Sequence, residues 1–420
     1  MSGFKFLHVA DVHLDSPLLG LARYEGVPVD EVRLATRTAL TSLIDLAIAE
    51  AVAFVVIAGD IYDGDWPHFG TGLFFCAAMG RLEKAGIEVY LLYGNHDAQS
   101  VLTKKLPLPP NVHVFPTNKA KTFVHQGTGA ALHGRSYKDR DTRENLAAQY
   151  PTAVDGAFNI GVLHTALGGR PPHASYAPCS VPELCAKGYQ YWALGHVHDF
   201  EVVSKSPYIV FPGNLQGRSI RECGPKGAVI VTVQDLDVLP EPQQIPVDSV
   251  RWMRVDIDVT DIGSEADLHA RIRNRLDEAF DTQSDGHALL IRVLLVGDTS
   301  LHGWLIGAKD QLDNDIRGIA ISVSERLWVE KISLRTGPLV QVSAGGSSVV
   351  DELGSLLAEG AKDPDLKQKL LADLSDFLGR IPSDLATEDD LLFAVRQGNA
   401  EGLLGMATAA LTAQLEGEAK

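Results

Sequence analysis

Five short motifs in the first half of the chain contain the residue types that bind hard metal ions. In chain order they are Asp11-Val12-His13, Gly59-Asp60, Gly94-Asn95-His96-Asp97, the single His164, and Gly195-His196-Val197-His198. Together they offer carboxylates, imidazoles and one amide oxygen, but no thiolate. This mixture suits manganese, iron or zinc in a reactive site better than it suits a structural zinc site.

The number of these side chains predicts two ions rather than one. The candidate ligands are Asp11, His13, Asp60, Asn95, His164, His196 and His198. Two ions about 3.5–4 Å apart that share a carboxylate can activate water and clamp a phosphate for in-line attack. Each motif alone is weak, since a D-x-H at a strand end is usually a turn with a surface histidine. The five together favour a hydrolytic centre.

Short apolar runs precede the motifs and predict buried strands. The runs are FKFLHVA, AFVVIA, VYLLY, NIGVL and YWAL, and helices are predicted over 30–50 and 72–85. Because residues i and i+2 of a strand point to the same side, we expect Asp11 with His13, and His196 with His198, to face one point. The predicted fold class is α/β, an α+β sandwich of mixed sheets flanked by helices.

The pattern also predicts three regions. They are a catalytic domain over 1–235, a small α+β domain over 249–336 and an acidic helical region over 349–420. The proline-rich, acidic segment 235–248 is predicted to be a linker, and 337–348 a flexible joint. In the last region, leucines at helical spacing predict either packing on their own domain or docking of a partner. These leucines are Leu353, Leu356, Leu357, Leu366, Leu370, Leu371 and Leu374.

Composition narrows the class of protein. The chain has 420 residues, of which 45% are hydrophobic and 22% charged, as in a globular protein. A net charge of −17 excludes passive binding of polyanions by counterion release, so attraction for nucleic acid must come from a local site such as bound cations. No apolar run is long enough for a membrane span, and neither a secretory signal nor a CxxC pair is present, which predicts a cytoplasmic protein.

The ordered set D-x-H, G-D, G-N-H-D, H and G-H-x-H resembles the calcineurin-like metallophosphoesterase superfamily. The stretches FLHVADVHLDSPLLGL, AGDIYDGDW and FPGNLQGRSIRECGPKG are closest to its DNA repair exonuclease branch, the SbcD-like and YhaO-like nucleases. The resemblance implies a phosphodiesterase that hydrolyses DNA with two divalent metal ions. Mn²⁺ is the expected metal, and Fe²⁺ and Zn²⁺ are the alternatives. It also implies that the small α+β domain is a DNA-contacting cap. Hydrolysis of nucleotides, cyclic nucleotides or phosphoproteins stays open, as does a non-catalytic role in assembling an ATPase.

The resemblance also implies individual roles. It assigns one ion to Asp11, His13 and His198, the other to Asn95, His164 and His196, and a bridging position to Asp60. His96 is implied to be the general acid, with Asp97 orienting its ring. Relatives often have a histidine three residues after the bridging aspartate, where this chain has Asp63. The geometry around His96, or the preferred substrate, is therefore expected to differ.

The positions of certain residues and the family resemblance also predict binding partners. Arg135, Tyr137, Arg218 and Arg221 lie near strand ends or in a glycine-rich stretch, and could contact phosphates or stack on a base. The alternative is a solvated loop with local ion pairs. The resemblance further implies an SMC-like coiled-coil ATPase of the SbcC or YhaN type as a partner, and a homodimer is a further expectation.

Overall fold

The computed structural model describes residues 3–16, 29–63, 69–99, 107–168, 176–339 and 363–378, with the isolated positions 359, 400, 403, 404 and 407. Its strands are β1 (Phe4–Val9), β2 (Phe54–Ala58), β3 (Glu88–Leu92), β4 (Val112–Val114), β5 (Lys121–Val124), β6 (Ala131–Gly134), β7 (Asn159–His164), β8 (Tyr191–Gly195), β9 (Phe200–Lys205), β10 (Tyr208–Pro212), β11 (Gly227–Gln234), β12 (Asp237–Val238), β13 (Gln243–Pro246), β14 (Val250–Asp258), β15 (Ala288–Thr299) and β16 (Leu327–Pro338). Its helices are α1 (Val29–Ala49), α2 (Phe69–Lys84), α3 (Asn95–Gln99), α4 (Val181–Cys185), α5 (Glu265–Gln283), α6 (His302–Gly307), α7 (Lys309–Val323) and α8 (Pro364–Leu378), and Ala147–Gln149 forms one 3₁₀ turn.

The first sheet has the strand order β12-β11-β1-β2-β3-β4, with β13 paired to β11. Strands β1 to β4 are parallel, and β11 runs antiparallel to β1. All five residues of β2 are buried, as expected for a parallel strand that is covered on both faces. The carboxyl ends of β1, β2 and β3 therefore meet at one edge.

The second sheet has the order β5-β6-β7-β8-β10-β9. Its four central strands are parallel, while β5 and β9 are antiparallel edges. This arrangement places the carboxyl ends of β7 and β8 side by side, because His164 is in register with Gly195.

Side chains on the two faces of β1 pack against different layers, the helices on one face and the second sheet on the other. Leu7 belongs to a buried cluster with Leu40 of α1 and Met79 of α2. Its neighbour Phe6 points the other way and meets Tyr191 of the second sheet edge-on, with ring centroids 5.4 Å apart. The result is a sandwich of two sheets with helices on the outside, which confirms the predicted α/β fold class.

The prediction of a linker over 235–248 is wrong. Residues Asp237–Val238 and Gln243–Pro246 form β12 and β13, and both pair with β11. Pro246 is tolerated because it ends a strand at the margin of the sheet, where no ladder hydrogen bond from its nitrogen is needed. Contacts divide the chain into one compact unit up to Arg254 with Asp281–Ile291, and a second unit of Val255–Phe280 with the residues from Arg292 onward.

The smaller α+β part contains a three-stranded sheet of order β14-β15-β16. Helix α5 buries Leu268, Ile272 and Leu276, which repeat every four residues on one face. Strand β16 extends to Pro338, so the predicted joint begins within a strand and otherwise lies outside the described residues. In the predicted C-terminal helical region, the structure describes α8, Glu359 and four isolated positions beyond α8. The predicted positions Leu353, Leu356 and Leu357 lie outside the described residues. No helix among the described residues has the length and apolar content that a bilayer span requires.

Candidate metal centre

The five motifs lie at the carboxyl ends of five strands. Asp11 and His13 follow β1, Asp60 follows β2, and Asn95 with His96 follows β3 and begins α3. His164 is the last residue of β7, while His196 and His198 follow β8. Since parallel strands within each sheet end at one edge, motifs far apart in sequence can converge there.

The route by which two ligand pairs converge differs from the prediction. Strand β1 ends at Val9 and β8 at Gly195, so neither pair lies within a strand. Instead Asp11, His13, Asp60 and His196 have positive φ angles of 51°, 43°, 53° and 97°. Residues with a side chain rarely adopt this region, and each instance costs about 1–3 kcal/mol. The expectation that strand alternation aligns the pairs is therefore wrong, because left-handed bends beyond the strands aim the side chains.

Three overlapping groups of ligand atoms form among the described residues. They are Asp11, His13 and His198; His13, Asp60 and His96; and Asp60, His164 and His196. Within each group all ligand atoms lie within 4.8 Å of one another. Asn95 joins the last group, because its Oδ1 lies 3.0 Å from His164 Nε2. The structure thus brings all seven predicted ligands into one cluster.

Buried charge in this cluster fits divalent cations. Asp11 Oδ1 and both ring nitrogens of His13 are buried and make no hydrogen bond to any described residue. Burial alone would lower the pKa of His164, but the carboxylates of Asp60 and Asp11 raise it to about 9. The two buried carboxylates therefore need positive charge, which cations can supply as they displace protons from the ligands.

Hydrogen bonds to the protein hold the ligands in position. His164 Nδ1 donates to the Ala58 carbonyl at 2.9 Å, which leaves Nε2 directed at Asp60 Oδ2, 3.3 Å away. Asp11 Oδ2 accepts from the His196 backbone N–H at 2.8 Å. Burial, reinforced by the charge of Arg218, lowers the pKa of His13 to about 3, so its ring is neutral, as a metal ligand must be.

Two glycines are required by the closeness of the ligands. A Cβ on Gly94 would lie 2.2 Å from Asp60 Oδ1, and one on Gly59, whose φ is 97°, would lie 2.5 Å from His164 Nδ1. Any side chain at either position would displace a candidate ligand. The G-D and G-N-H-D motifs therefore contain their glycines for steric reasons.

His96 is held by Asp63. Its Nδ1 lies 2.9 Å from Asp63 Oδ1, and Asp63 Oδ2 accepts a 2.6 Å hydrogen bond from Ser16 Oγ. Burial would lower the pKa of His96, but the hydrogen bond to Asp63 and the charge of Asp60 outweigh it and raise the pKa. The protonated imidazole, which a general acid needs, is thereby favoured.

The carboxylate of Asp97 makes different contacts from those predicted. It accepts backbone N–H groups of Ile61, Tyr62 and Gly94, each at 3.0 Å. These bonds join the loop after β2 to the loop after β3. The predicted role of Asp97 in orienting His96 does not fit this placement, because Asp97 supports the backbone and Asp63 contacts the ring.

The four residues predicted to contact nucleic acid separate into two kinds. Tyr137 is 1% exposed and donates its hydroxyl to the His164 carbonyl at 2.7 Å. Arg135 is buried and bonded to the Thr117 carbonyl and to Gln149. Both are structural, and direct contact with DNA does not fit their burial. Arg221 is exposed, and Arg218 lies against the cluster, its Nη1 3.6 Å from Asp63 Oδ2.

Two carboxylates beside the cluster, Asp63 and Glu222, make contacts that the sequence motifs do not reveal. The pairing of Asp63 with His96 was hidden because only a departure from the usual histidine was visible. Glu222, whose Oε1 lies 2.7 Å from His198 Nδ1, sits 24 residues further along in a glycine-containing stretch with no recognisable spacing. The available signal was the presence of the charged residues Arg218, Arg221 and Glu222 in this stretch.

Family comparisons agree with this geometry. Residues 4–200 match the family model for calcineurin-like phosphoesterases, and residues 252–337 match that for the middle domain of the metallophosphoesterase YhaO. The chain is 32% identical over 324 residues to the uncharacterized metallophosphoesterase YhaO of Bacillus subtilis (strain 168), covering 76% of this chain and 78% of that protein. The chain belongs to the calcineurin-like metallophosphoesterases, in the YhaO-like branch. Calcineurin-like phosphoesterases use a dinuclear metal centre, and the Asp and His cluster is where this one can hold it.

Two further relatives of this YhaO-like phosphoesterase are named as DNA double-strand break repair proteins. It is 23% identical over 328 residues to the DNA double-strand break repair protein Mre11 of Sulfurisphaera tokodaii, covering 75% of this chain and 79% of that protein. It is 27% identical over 213 residues to the Mre11 protein of Methanopyrus kandleri, covering 46% of this chain and 44% of that protein.

Proposed function

We propose that this YhaO-like phosphoesterase is a dinuclear-metal phosphodiesterase that hydrolyses DNA phosphodiester bonds with Mn²⁺. The observation that supports it is the convergence of seven candidate ligands on one cluster, with the accessible imidazole of His96 beside them. The relatives named as DNA double-strand break repair proteins support DNA as the substrate.

The proposed ligands come from two of the three groups together with Asn95. Asp11, His13 and His198 would hold one ion, Asn95, His164 and His196 would hold the other, and Asp60, which is grouped with His13 as well as with His164, would be shared. Two divalent cations, when bound, neutralise charge on a phosphate and lower the pKa of water. The protein's own contribution is to fix these side chains through the Ala58 carbonyl and the backbone N–H of His196.

His96 is proposed to donate a proton to the leaving oxygen. Nδ1 of His96 contacts the Asp63 carboxylate, so Nε2 is the ring nitrogen that can face a substrate. The side chain of His96 is 29% exposed, whereas that of His164 is fully buried, so a phosphodiester can reach the imidazole of His96. Arg218, with its side chain 18% exposed, is proposed to attract the phosphate despite the net charge of −17.

Further proposals concern the rest of the chain. Residues 249–336 are proposed to contact DNA, and 349–420 to dock a coiled-coil ATPase of the SbcC or YhaN type. Leu366 of α8 is 43% exposed, as a docking helix requires. A homodimer and a cytoplasmic location also remain proposals.

The test is hydrolysis of end-labelled single-stranded and duplex oligonucleotides in Mn²⁺, Mg²⁺, Zn²⁺ or Fe²⁺. Parallel reactions contain p-nitrophenyl phosphate, its diester and cyclic nucleotides. We expect cleavage of DNA and of the diester in Mn²⁺. Hydrolysis confined to monoesters or cyclic nucleotides would overturn the proposal in favour of a small-molecule phosphoesterase.

A variant pair makes this test specific. His96→Ala should keep both metals and lose about 100-fold or more of its turnover, the usual contribution of a general acid. His113→Ala is a matched control, since His113 is also partly exposed but lies beside Glu88, outside the cluster. If His96→Ala cleaved as fast as the His113→Ala control, His96 could not be the acid.

A further inference from the structure

Glu222 is a buried carboxylate next to the proposed metal centre that neither the motifs nor the ligand groups include. It lies between β10 and β11, is 9% exposed, and its backbone N–H donates to the Ser219 carbonyl at 2.9 Å. A carboxylate so buried is costly unless its oxygens are hydrogen-bonded. The hydrogen-bond partners of Glu222 therefore indicate the role of its carboxylate.

Four short hydrogen bonds reach the Glu222 carboxylate. Oε1 accepts from His198 Nδ1 at 2.7 Å and from Arg218 Nη2 at 2.9 Å. Oε2 accepts from the Arg218 backbone N–H at 2.7 Å and from Asn214 Nδ2 at 2.9 Å. The Asn214 amide and both groups of Arg218 can only donate, and the guanidinium is cationic, so the carboxylate is ionised and both of its oxygens act only as acceptors.

The bond to His198 determines which ring nitrogen can bind a cation. With an acceptor-only carboxylate at 2.7 Å, Nδ1 of His198 must carry the proton. Arg218 Nη2 lies 3.4 Å from the same nitrogen, but Glu222 is its nearer acceptor. A neutral His198 ring, which a metal ligand must have, then carries its lone pair on Nε2, and Nε2 lies 3.7 Å from Asp11 Oδ1 inside the first ligand group.

The same carboxylate holds Arg218 beside the centre. Glu222 anchors Arg218 at both its backbone N–H and its guanidinium Nη2, while Nη1 donates to Ser16 Oγ at 3.5 Å and lies 3.6 Å from Asp63 Oδ2. Removing Glu222 would therefore release a candidate ligand and the nearest guanidinium together.

We propose that Glu222 is a positioning residue that orients His198 for the ion held by Asp11 and His13, and at the same time holds Arg218 at the substrate side. Partners of this kind typically change metal affinity by about 10-fold to 100-fold when removed. The inference rests on the metal centre of the proposed function, but not on DNA being the substrate.

The test measures Mn²⁺ binding rather than activity. Wild type, Glu222→Ala and Glu222→Gln are titrated with Mn²⁺ by calorimetry, and metal per chain is counted after dialysis against limiting Mn²⁺. We expect one of two sites to weaken by about 10-fold to 100-fold in Glu222→Ala while the other keeps its affinity. In Glu222→Gln the amide oxygen can still accept from His198, so the loss should be smaller.

A matched control is Glu241→Gln, which removes the same charge from an exposed pair with Lys205. It should bind Mn²⁺ as the wild type does. Circular dichroism checks that the variants fold. If Glu222→Ala does not fold, the inference is tested by Glu222→Gln alone, in which one Mn²⁺ site should bind more weakly than in the wild type. Wild-type affinity at both sites in the folded Glu222 variants would overturn the inference. Absence of Mn²⁺ binding by the wild type itself would instead refute the proposed metal centre.

Discussion

Replacing Asp63 by asparagine tests the proposed acid most directly. The exchange keeps the shape of the side chain but removes the charge that faces His96 Nδ1 at 2.9 Å. Asparagine can still accept one hydrogen bond through its oxygen, so the ring should keep a partner. What is lost is the preference for the protonated imidazole.

The expected magnitude follows from the exposure of the pair. A hydrogen bond to a charged group contributes about 1.5–3 kcal/mol, and the low end applies here because the two side chains are 22% and 29% exposed. About 1.5–2 kcal/mol of transition-state stabilisation corresponds to about a 10-fold to 30-fold fall in kcat. KM should change little, because Asp63 hydrogen-bonds the proposed acid, and Arg218, which also lies beside Asp63, stays anchored on Glu222.

The assay is hydrolysis of an end-labelled oligonucleotide in saturating Mn²⁺, with metal content measured in parallel because His13 Nδ1 lies 3.6 Å from Asp63. Asp141→Asn is the control, since Asp141 pairs with Arg143 on the surface. The double variant Asp63→Asn with His96→Ala should be no slower than His96→Ala alone. A further tenfold loss in the double variant would show that Asp63 acts independently of His96, and an unchanged kcat in Asp63→Asn would refute the pairing.

Other changes probe the ligands and their support. Asp60→Ala should lose both Mn²⁺ ions, because Asp60 belongs to two of the three ligand groups, and elemental analysis of the dialysed protein measures this. Tyr137→Phe should lower the free energy of unfolding in urea by about 1–2 kcal/mol, because the 2.7 Å bond to the buried His164 carbonyl is lost, while KM for an oligonucleotide should stay constant. A raised KM with unchanged stability would instead restore the predicted DNA contact. Gly94→Ala should lower metal content, whereas Gly70→Ala, where a Cβ meets nothing within 4 Å, should not.

The layered fold could be predicted because local patterns agree with it. Apolar runs such as Phe54–Ala58 are buried along their whole length, and the helix predicted over 30–50 forms as Val29–Ala49. The short edge strands were not predictable in the same way. Asp237–Val238 is only two residues long and is held by pairing with β11, which no local pattern encodes.

The ligand types were predictable, but their support was not. Polar residues after each strand end identified the cluster, since the carboxyl ends of parallel strands converge. The partners of those residues depend on tertiary contacts between distant loops. Asp97 bonds the backbone of Ile61, 36 residues away, and Asp63 rather than Asp97 contacts His96.

Left-handed bends at ligand positions are also invisible in sequence, and they indicate what keeps the cluster together. Asp11, His13, Asp60 and His196 each have a positive φ, at about 1–3 kcal/mol apiece, and two of them are buried carboxylates. Strain and buried charge of this size persist only where other interactions offset them. Backbone hydrogen bonds from the Asp11 N–H to the Gly59 carbonyl and from the His13 N–H to the Asp60 carbonyl, at 3.0 and 3.1 Å, hold the first two bends. The protein's own backbone therefore offsets part of the conformational cost at two of the four ligand positions with a positive φ.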